Sequence, residues 1–197
     1  MISLESVAPP AAEPVTLAEM KAHARIDTDA DDALIGSLVT AARQWAEQYT
    51  GRAFITQTWR MWRDNSPDGY FFTLPKPPLV SVTEFRIMDD GGEGEVWPEQ
   101  NYFVDKYHEP GRLALRSGSA WPAERRFVNN YAIEFTAGYG NAAEDVPEAI
   151  RLAIKQLAAH WYENRGETIL ISPQNTERVP LVIQALLDPY RIRGMWT

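Results

Sequence analysis

Apolar positions repeat at helical spacing in two separate parts of the chain. In the N-terminal part, one face of a predicted helix ending near Tyr49 carries Leu34, Leu38, Ala42, Trp45 and Tyr49. Three further apolar residues widen that stripe: Ile35, Val39 and Ala46. Far downstream, a second amphipathic helix is predicted from apolar residues at intervals of three and one: Ile150, Ala153, Ile154, Leu157, Ala158 and Trp161. The pattern therefore predicts helices in both terminal parts of the chain.

Local signals predict where the N-terminal helices begin and end. Thr16 and Glu19 fit a capping box, which predicts a short helix from there to about Ala24. Carboxylates around Asp32 favour the positive end of the dipole of the longer helix. Gly51 is placed to end that helix, since glycine readily adopts the left-handed conformation of a helix C-cap.

Similar signals bound the C-terminal helices. For the long helix, Asp145 is the predicted N-cap, Pro147 lies in the first turn, and Glu148 places a carboxylate at the third helical position. We expect this helix to end near Gly166. A last helix is predicted from Val179-Pro180 through about Leu187, where Pro189 stops it.

Between these helical parts the chain is rich in β-branched and aromatic residues. Short runs of this kind alternate with turn clusters of Pro, Gly, Asn and Asp, the pattern of antiparallel strands. The predicted strands are Ile55–Trp62, Tyr70–Leu74, Val80–Met88, Tyr102–Tyr107, Arg112–Arg116 and Phe127–Ala137. The glycine-rich run Gly91-Gly92-Glu93-Gly94 lies between strands, which predicts a hairpin tip. It is not interpreted as a phosphate-binding loop, because the carboxylate of Glu93 would repel an anion.

The predicted fold class is α+β: a helical core of two N-terminal and two C-terminal helices, with an inserted small antiparallel β subdomain. The proline-rich start predicts an extended arm over residues 1–14. The predicted segments that follow are 15–53 for the N-terminal helices, 54–139 for the β insertion, 140–188 for the C-terminal helices and 189–197 for a C-terminal tail.

Composition narrows the class of protein. The chain has 7 Trp and 8 Tyr, residue types that build cores and protein interfaces, and it has no Cys, which excludes disulfides and thiolate chemistry. Its formal net charge is -8, so the basic footprint of a nucleic-acid reader is missing. No apolar run approaches the roughly 20 residues that span a bilayer, and the first residues do not resemble a signal peptide. We therefore expect that the protein does not associate with membranes and that it is made and assembled in a cytoplasm.

Candidate metal sites fail on spacing. The run Asp27-x-Asp29-x-Asp31 begins like a calcium loop, but Asp32 stands where the turn glycine belongs, and Leu38 where the bidentate glutamate belongs. The three histidines, His23, His108 and His160, form no zinc-type pair. Asp105 and His108 flank a predicted strand end and could meet in space, although a surface histidine is the simpler interpretation.

Candidate catalytic motifs fail in the same way. Ser117-Gly118-Ser119 lacks the surroundings of a nucleophile elbow, and there is no Walker A loop. We expect no enzyme activity, no cofactor and no metal.

Two functions stay open on the residues alone. One is a monomeric carbohydrate- or peptide-binding module that uses the aromatic residues of the β insertion, among them Trp59, Trp62, Tyr70, Phe71 and Phe72. The other is a small hydrolase with an unconventional cluster of carboxylates.

The order of several short motifs resembles the head–tail connector (adaptor) proteins of tailed phages and of phage-derived gene transfer agents. The motifs span most of the chain: Pro14-Val15-Thr16-Leu17-Ala18-Glu19-Met20-Lys21, Asp31-Asp32-Ala33-Leu34-Ile35, Tyr49-Thr50-Gly51-Arg52, Ala137-Gly138-Tyr139-Gly140, Val146-Pro147-Glu148-Ala149-Ile150, His160-Trp161-Tyr162-Glu163-Asn164-Arg165 and Leu187-Asp188-Pro189-Tyr190-Arg191. Each motif is weak alone, whereas their order and spacing together are specific.

The resemblance implies a structural protein of a virion or phage-like particle that lies at the head–tail junction. It implies a homo-oligomeric ring, a dodecamer, between the portal protein and a tail-side stopper or terminator protein, with DNA passing through the lumen without sequence-specific binding. It also implies that the C-terminal segment contacts the portal. The residues that we assign to that contact are Tyr190, Arg191, Ile192, Arg193, Met195 and Trp196. The role of the β insertion is left open.

Overall fold

The computed structural model describes residues 1–164 and 179–193 of the chain. Within these ranges the protein has four α-helices and two antiparallel sheets, which confirms a mixed α+β fold. The helices are α1 (Leu17–Ala24), α2 (Asp32–Thr50), α3 (Glu148–Glu163) and α4 (Leu181–Leu187). The strands are β1 (Ile2–Ala8), β2 (Gln57–Arg63), β3 (Phe71–Thr73), β4 (Leu79–Met88), β5 (Gly94–Val96), β6 (Tyr102–Asp105), β7 (Arg112–Leu115) and β8 (Tyr131–Ala137).

The chain forms two compact units, each made from two separate stretches of sequence. The β unit comprises Met1–Ala11 and Ala53–Tyr139, and the helical unit comprises Ala12–Arg52 and the described part of Gly140–Thr197. The strand order is β1-β2-β8-β4-β5 in the larger sheet and β3-β7-β6 in the smaller one. The predicted hairpin tip is confirmed, since β4 and β5 pair antiparallel across the turn that holds Gly91 and Gly92.

An aromatic core fills the β unit. Strand alternation points Met61, Ile133 and Phe85 to one face of the larger sheet, where they lie in register with one another and are fully buried. The ring of Phe85 lies edge-on to three others: Phe72 at 5.6 Å, Trp97 at 5.1 Å and Tyr131 at 5.8 Å between centroids. Edge-to-face contacts of this kind add to the burial of apolar area. Most of the aromatic load of this unit therefore stabilises its own fold.

The N-terminal residues are not the separate arm that the sequence predicts over residues 1–14. Ile2–Ala8 is instead an edge strand, which pairs antiparallel with β2 so that Ile2 lies opposite Arg63 and Leu4 opposite Met61. The physical reason lies in the alternation of Ile2 and Leu4 with polar neighbours, which puts Leu4 against the buried core. The strand ends before Pro9 and Pro10, and these prolines do not prevent the residues before them from pairing.

The N-terminal helical signals are confirmed. Glu19 donates its backbone N–H to the Thr16 hydroxyl at 3.2 Å, while the Glu19 carboxylate accepts from the Thr16 backbone N–H at 2.9 Å. These two bonds are the capping box that begins α1. At the other end of α2, Gly51 adopts a φ of 75° and donates its N–H to the carbonyl of Glu47. A glycine is favoured at that position because residues with a Cβ are strained at positive φ.

Only part of the predicted apolar stripe of α2 is buried. Ile35, Val39 and Ala46 are buried, whereas Leu34 is exposed, and Trp45 and Tyr49 are half-buried. The apolar stripe is wider than the surface that packs, so periodicity alone could not decide which of its residues are buried. The same buried face also carries Arg43 and Glu47, which form an ion pair with 2.8 Å between Nη1 and Oε2.

The C-terminal helices also depart from the prediction in two details. Asp145 does not cap α3: it lies in a short 3₁₀ turn, Ala143–Asp145, and its carboxylate accepts from the N–H of Ala142 at 3.0 Å. The residue at the N-cap of α3 is Pro147. The predicted core residues of α3 from Ile150 to Ala158 are buried, but Trp161 is only half-buried. Helix α3 packs against α2 and α4.

Candidate partner-binding site at the C-terminus

Helix α4 leads directly into the segment that the resemblance assigns to partner contact. After Leu187 the chain tightens into a 3₁₀ turn, Asp188–Tyr190, with Pro189 in its first positions. Proline fits there because the first N–H groups of a helical turn have no partner within the turn. The chain then continues in extended conformation from Arg191.

This segment lies against the C-terminal end of α2. The backbone N–H of Ile192 donates to the carbonyl of Thr50 at 2.9 Å, and Nε of Arg52 donates to the carbonyl of Tyr190 at 2.5 Å. The last carbonyl groups of a helix have no partner within it, so the bond from Ile192 satisfies one of them. The Cβ of Ile192 would lie 3.6 Å from a Cβ added to Gly51, which places the two backbones close together.

Side chains make a second set of contacts around Tyr49. Its hydroxyl donates to Oδ1 of Asp188 at 2.7 Å, and the guanidinium carbon of Arg191 lies 5.0 Å from the centre of its ring. The ring itself stacks on Trp45, with 5.1 Å between centroids and 15° between planes. The hydrogen bond to Asp188 raises the pKa of Tyr49, because ionisation of the phenol would place two negative charges side by side.

The structure thus brings together two of the motifs behind the resemblance, Tyr49-Thr50-Gly51-Arg52 and Leu187-Asp188-Pro189-Tyr190-Arg191. Nothing in the spacing of the sequence indicates that these motifs meet, because contacts between distant segments leave no periodic signal. Sequence reasoning missed Tyr49 and Arg52 as parts of the site for that reason.

The predicted contact residues fall into three groups. Tyr190 and Ile192 are half-buried through the contacts just described. Arg191 and Arg193 are exposed to solvent. Met195 and Trp196 lie outside the described residues. Within the predicted tail of residues 189–197, the segment is therefore docked on α2 as far as Ile192.

The aromatic residues proposed for a ligand-stacking face do not share a face. Trp59 points toward the core of the β unit, whereas Trp62, three positions along the same strand, points the other way and donates from Nε1 to Glu5 at 3.0 Å. Phe72 is fully buried, and Tyr70 and Phe71 are exposed. A sugar-binding platform needs these rings side by side, so the geometry disfavours the binding-module hypothesis.

The candidate metal and catalytic residues are engaged in ordinary structural contacts. Lys21 donates to Asp29 at 2.5 Å and to Asp32 at 2.8 Å, and Asp31 accepts from the hydroxyl of Tyr162 at 2.7 Å. The carboxylate of Asp105 accepts from Arg112 at 2.6 Å, and this bond is the main cause of its lowered pKa.

Two searches of the described residues gave negative results. They contain no group of three or more His, Asp or Glu side chains placed to hold a metal ion. None of the helices in residues 1–164 and 179–193 is both long and apolar enough to cross a lipid bilayer.

The chain is similar to known proteins both in sequence and in structure. Residues 13–193 match the model of a family described as head completion protein. Three solved structures have a similar chain, in each case over 98% or 99% of both chains. One is the neck of an empty gene transfer agent particle computed with C6 symmetry, at 25% identity and a TM-score of 0.83.

The other two are the virion of a native gene transfer agent particle and the neck of a native particle computed with C12 symmetry, each at 24% identity and a TM-score of 0.79. No curated protein matches the chain significantly. The resemblance to head–tail connectors is thereby confirmed, and the chain belongs to the head completion protein family.

Proposed function

We propose that this protein is the subunit of an adaptor ring that joins the portal of a phage-like particle to a tail-side stopper or terminator protein. The observation that carries the proposal is the likeness, over nearly the whole chain, to a chain from a particle neck. Head completion is a structural task at the head–tail junction, and membership of that family supports it. A catalytic role has no comparable support.

Ring assembly is supported by the symmetry of the similar structures, which were computed as C6 and C12 assemblies. A ring repeats one contact between two different faces of the subunit until the rotation closes. We propose twelve subunits, the number that matches the C12 case. The net charge of -8 favours passage of DNA through the lumen without capture, because an acidic wall repels phosphate.

The C-terminal segment is the proposed contact with the portal. From Arg191 to Trp196 it offers two guanidinium groups and two large apolar side chains, at Met195 and Trp196. Arg and Trp dominate the hot spots of protein interfaces. The chemistry fits a site on the partner in which carboxylates surround an apolar pocket.

The test is to mix the purified protein with the portal ring of the same particle and to image the mixture by electron microscopy. A second ring stacked on one end of the portal, with twelvefold symmetry in class averages, is the expected result. Portal rings that stay bare at micromolar protein would overturn the proposal. A chain that ends at Ile192 is the matched control, since it keeps the contacts with α2 and lacks three of the residues proposed to bind: Arg193, Met195 and Trp196.

A further inference from the structure

We propose that Tyr49, Arg52 and Asp188 are positioning residues for partner binding, because they hold the root of the C-terminal segment on the end of α2. We call Asp188–Ile192 the C-terminal root. The inference rests on the proposed function, in which the residues that follow the root bind the portal. It adds that the direction in which those residues leave the subunit is fixed before the partner arrives.

The root is held at four successive points, and each uses different atoms. Asp188 accepts the Tyr49 hydroxyl at 2.7 Å, and Tyr190 offers its carbonyl to Arg52 at 2.5 Å. Arg191 lies over the face of the Tyr49 ring at 5.0 Å, and Ile192 donates its N–H to Thr50 at 2.9 Å. Two of these contacts use the main chain, so they fix the path of the backbone and not only the side chains.

The end of α2, to which the root is bound, is itself well held by contacts within the helix. Thr50 is fully buried and its hydroxyl donates to the carbonyl of Ala46 at 2.8 Å, one turn back in α2. The ring of Tyr49 also stacks on that of Trp45 in the same helix. A segment tied to such a helix end has little freedom left, whereas a frayed tail would have to be ordered on binding.

The contacts also divide the segment into two parts with different roles, the root and the residues that follow it. Polar groups of Tyr190 and Ile192 are used inside the subunit, so they are not available to a partner without breaking the root. Arg193 is exposed and follows immediately. Direct contact with the partner is therefore expected from the exposed Arg191 side chain and from Arg193 onward, while the contacts between the root and α2 raise the affinity by reducing the entropy lost on binding.

The experiment compares full-length variants for binding to an immobilised portal ring. Tyr49→Ala removes both the hydrogen bond to Asp188 and the ring beneath Arg191, and we expect it to weaken binding by roughly tenfold. Tyr49→Phe removes only the hydroxyl and is expected to have a smaller effect. Tyr107→Ala, which truncates a tyrosine that is 97% exposed in the β unit, is the matched control and should bind as the wild type does.

A second readout separates positioning from a general loss of structure. Amide hydrogen exchange at Ile192 should be faster in Tyr49→Ala, while amides in the middle of α2 and α3 keep their protection. If Tyr49→Ala proves too unstable, Asp188→Ala removes the acceptor from the other side, and Asp188→Asn should restore binding because an amide oxygen also accepts.

The outcomes distinguish this inference from the proposed function. Failure of the wild-type protein to bind the portal ring overturns the proposed function and the inference with it. Binding by the wild type, loss of binding by the chain that ends at Ile192 and a tenfold weakening in Tyr49→Ala support both. Wild-type affinity in Tyr49→Ala, together with faster exchange at Ile192, overturns the inference alone.

Discussion

Arg43 donates from Nε to Oε2 of Glu13 at 2.7 Å and thereby ties the residue before Pro14 to the middle of α2. A second bond runs from its Nη1 to Glu47 at 2.8 Å, and the Arg43 side chain is only 7% exposed. Removing the cation takes the positive charge away from two carboxylates, Glu13 and Glu47, in a largely buried site. We expect Arg43→Met to lower the free energy of unfolding by about 3–5 kcal/mol, measured by urea denaturation.

The control for this prediction is Arg125→Met. Arg125 also pairs with a glutamate, Glu95 at 2.6 Å, but the two side chains are 45% and 65% exposed. An exposed ion pair contributes at most about 1 kcal/mol. Equal losses in the two variants would show that burial does not set the strength of the Arg43 cluster.

Phe85 and Phe127 test the aromatic core of the β unit. Phe85 is fully buried among other rings, whereas Phe127 is 97% exposed in the loop before β8. Phe85→Ala should cost about 3–5 kcal/mol, because it leaves a cavity that the neighbouring rings cannot fill. Phe127→Ala should change stability by less than about 0.5 kcal/mol. Thermal melts of the two variants decide the matter, and similar melting temperatures would contradict the prediction.

Two glycines are expected to respond in opposite directions to the same substitution. Gly36 lies within α2 with nothing within 4 Å of an added Cβ, so Gly36→Ala should stabilise the protein by about 0.5–1 kcal/mol. Gly138 has a φ of 144°, and an added Cβ would lie 2.5 Å from the backbone nitrogen of Thr56. Gly138→Ala should therefore lower the free energy of unfolding by at least about 2 kcal/mol. Urea denaturation measures both effects. A stabilised Gly138→Ala would mean that the chain can shift at this point without cost.

The capping box of α1 predicts a pH dependence. The backbone N–H of Thr16 donates to the carboxylate of Glu19 and holds its pKa below the ordinary value of 4.5, with help from Arg151. A lowered pKa in the folded state stabilises the fold above the ordinary value, and this stabilisation is lost as the pH falls through the lower one. The stability difference between wild type and Glu19→Gln should therefore shrink on acidification from about pH 5 to pH 3.

Glu163→Gln supplies the reference for that measurement, because Glu163 is exposed at the end of α3. It corrects for the general effect of one carboxylate fewer on an acidic protein. A difference between wild type and Glu19→Gln that stays constant across this range, once corrected, would contradict the assignment of the shift to the cap.

The sequence was most informative where the signal is local. The capping box at Thr16, the glycine that ends α2 and six of the eight strands follow from residues close to one another in the chain. Strand β5 was missed because Gly94 and Glu95 are poor strand formers, whereas β3, which is as short, begins with two phenylalanines. Strand β1 was missed because the prolines that follow it dominated the interpretation, although Ile2 and Leu4 alternate correctly.

Long-range choices were less predictable. Helix α2 offers an apolar stripe through Leu34 as well as one through Ile35, and only its packing partners decide that the second is buried. The candidate site shows the same limit. Both motifs that form it were visible in the sequence, but the bond between Tyr49 and Asp188 depends on how α2 and α4 pack. Such a contact follows from the tertiary structure and from no periodicity.

The division of each unit into two separate stretches has a consequence for how the protein is made. Strand β1 leaves the ribosome long before its partner β2, and α1 and α2 leave long before α3 and α4. The β unit has all of its strands once Ala137 has been synthesised, whereas the helical unit lacks α4 until Leu187 has been synthesised. Contacts between distant segments form slowly, so each unit is expected to fold only after its second stretch has been synthesised, the β unit before the helical unit. A ribosome that stalls before β8 would therefore release a chain in which neither unit is complete.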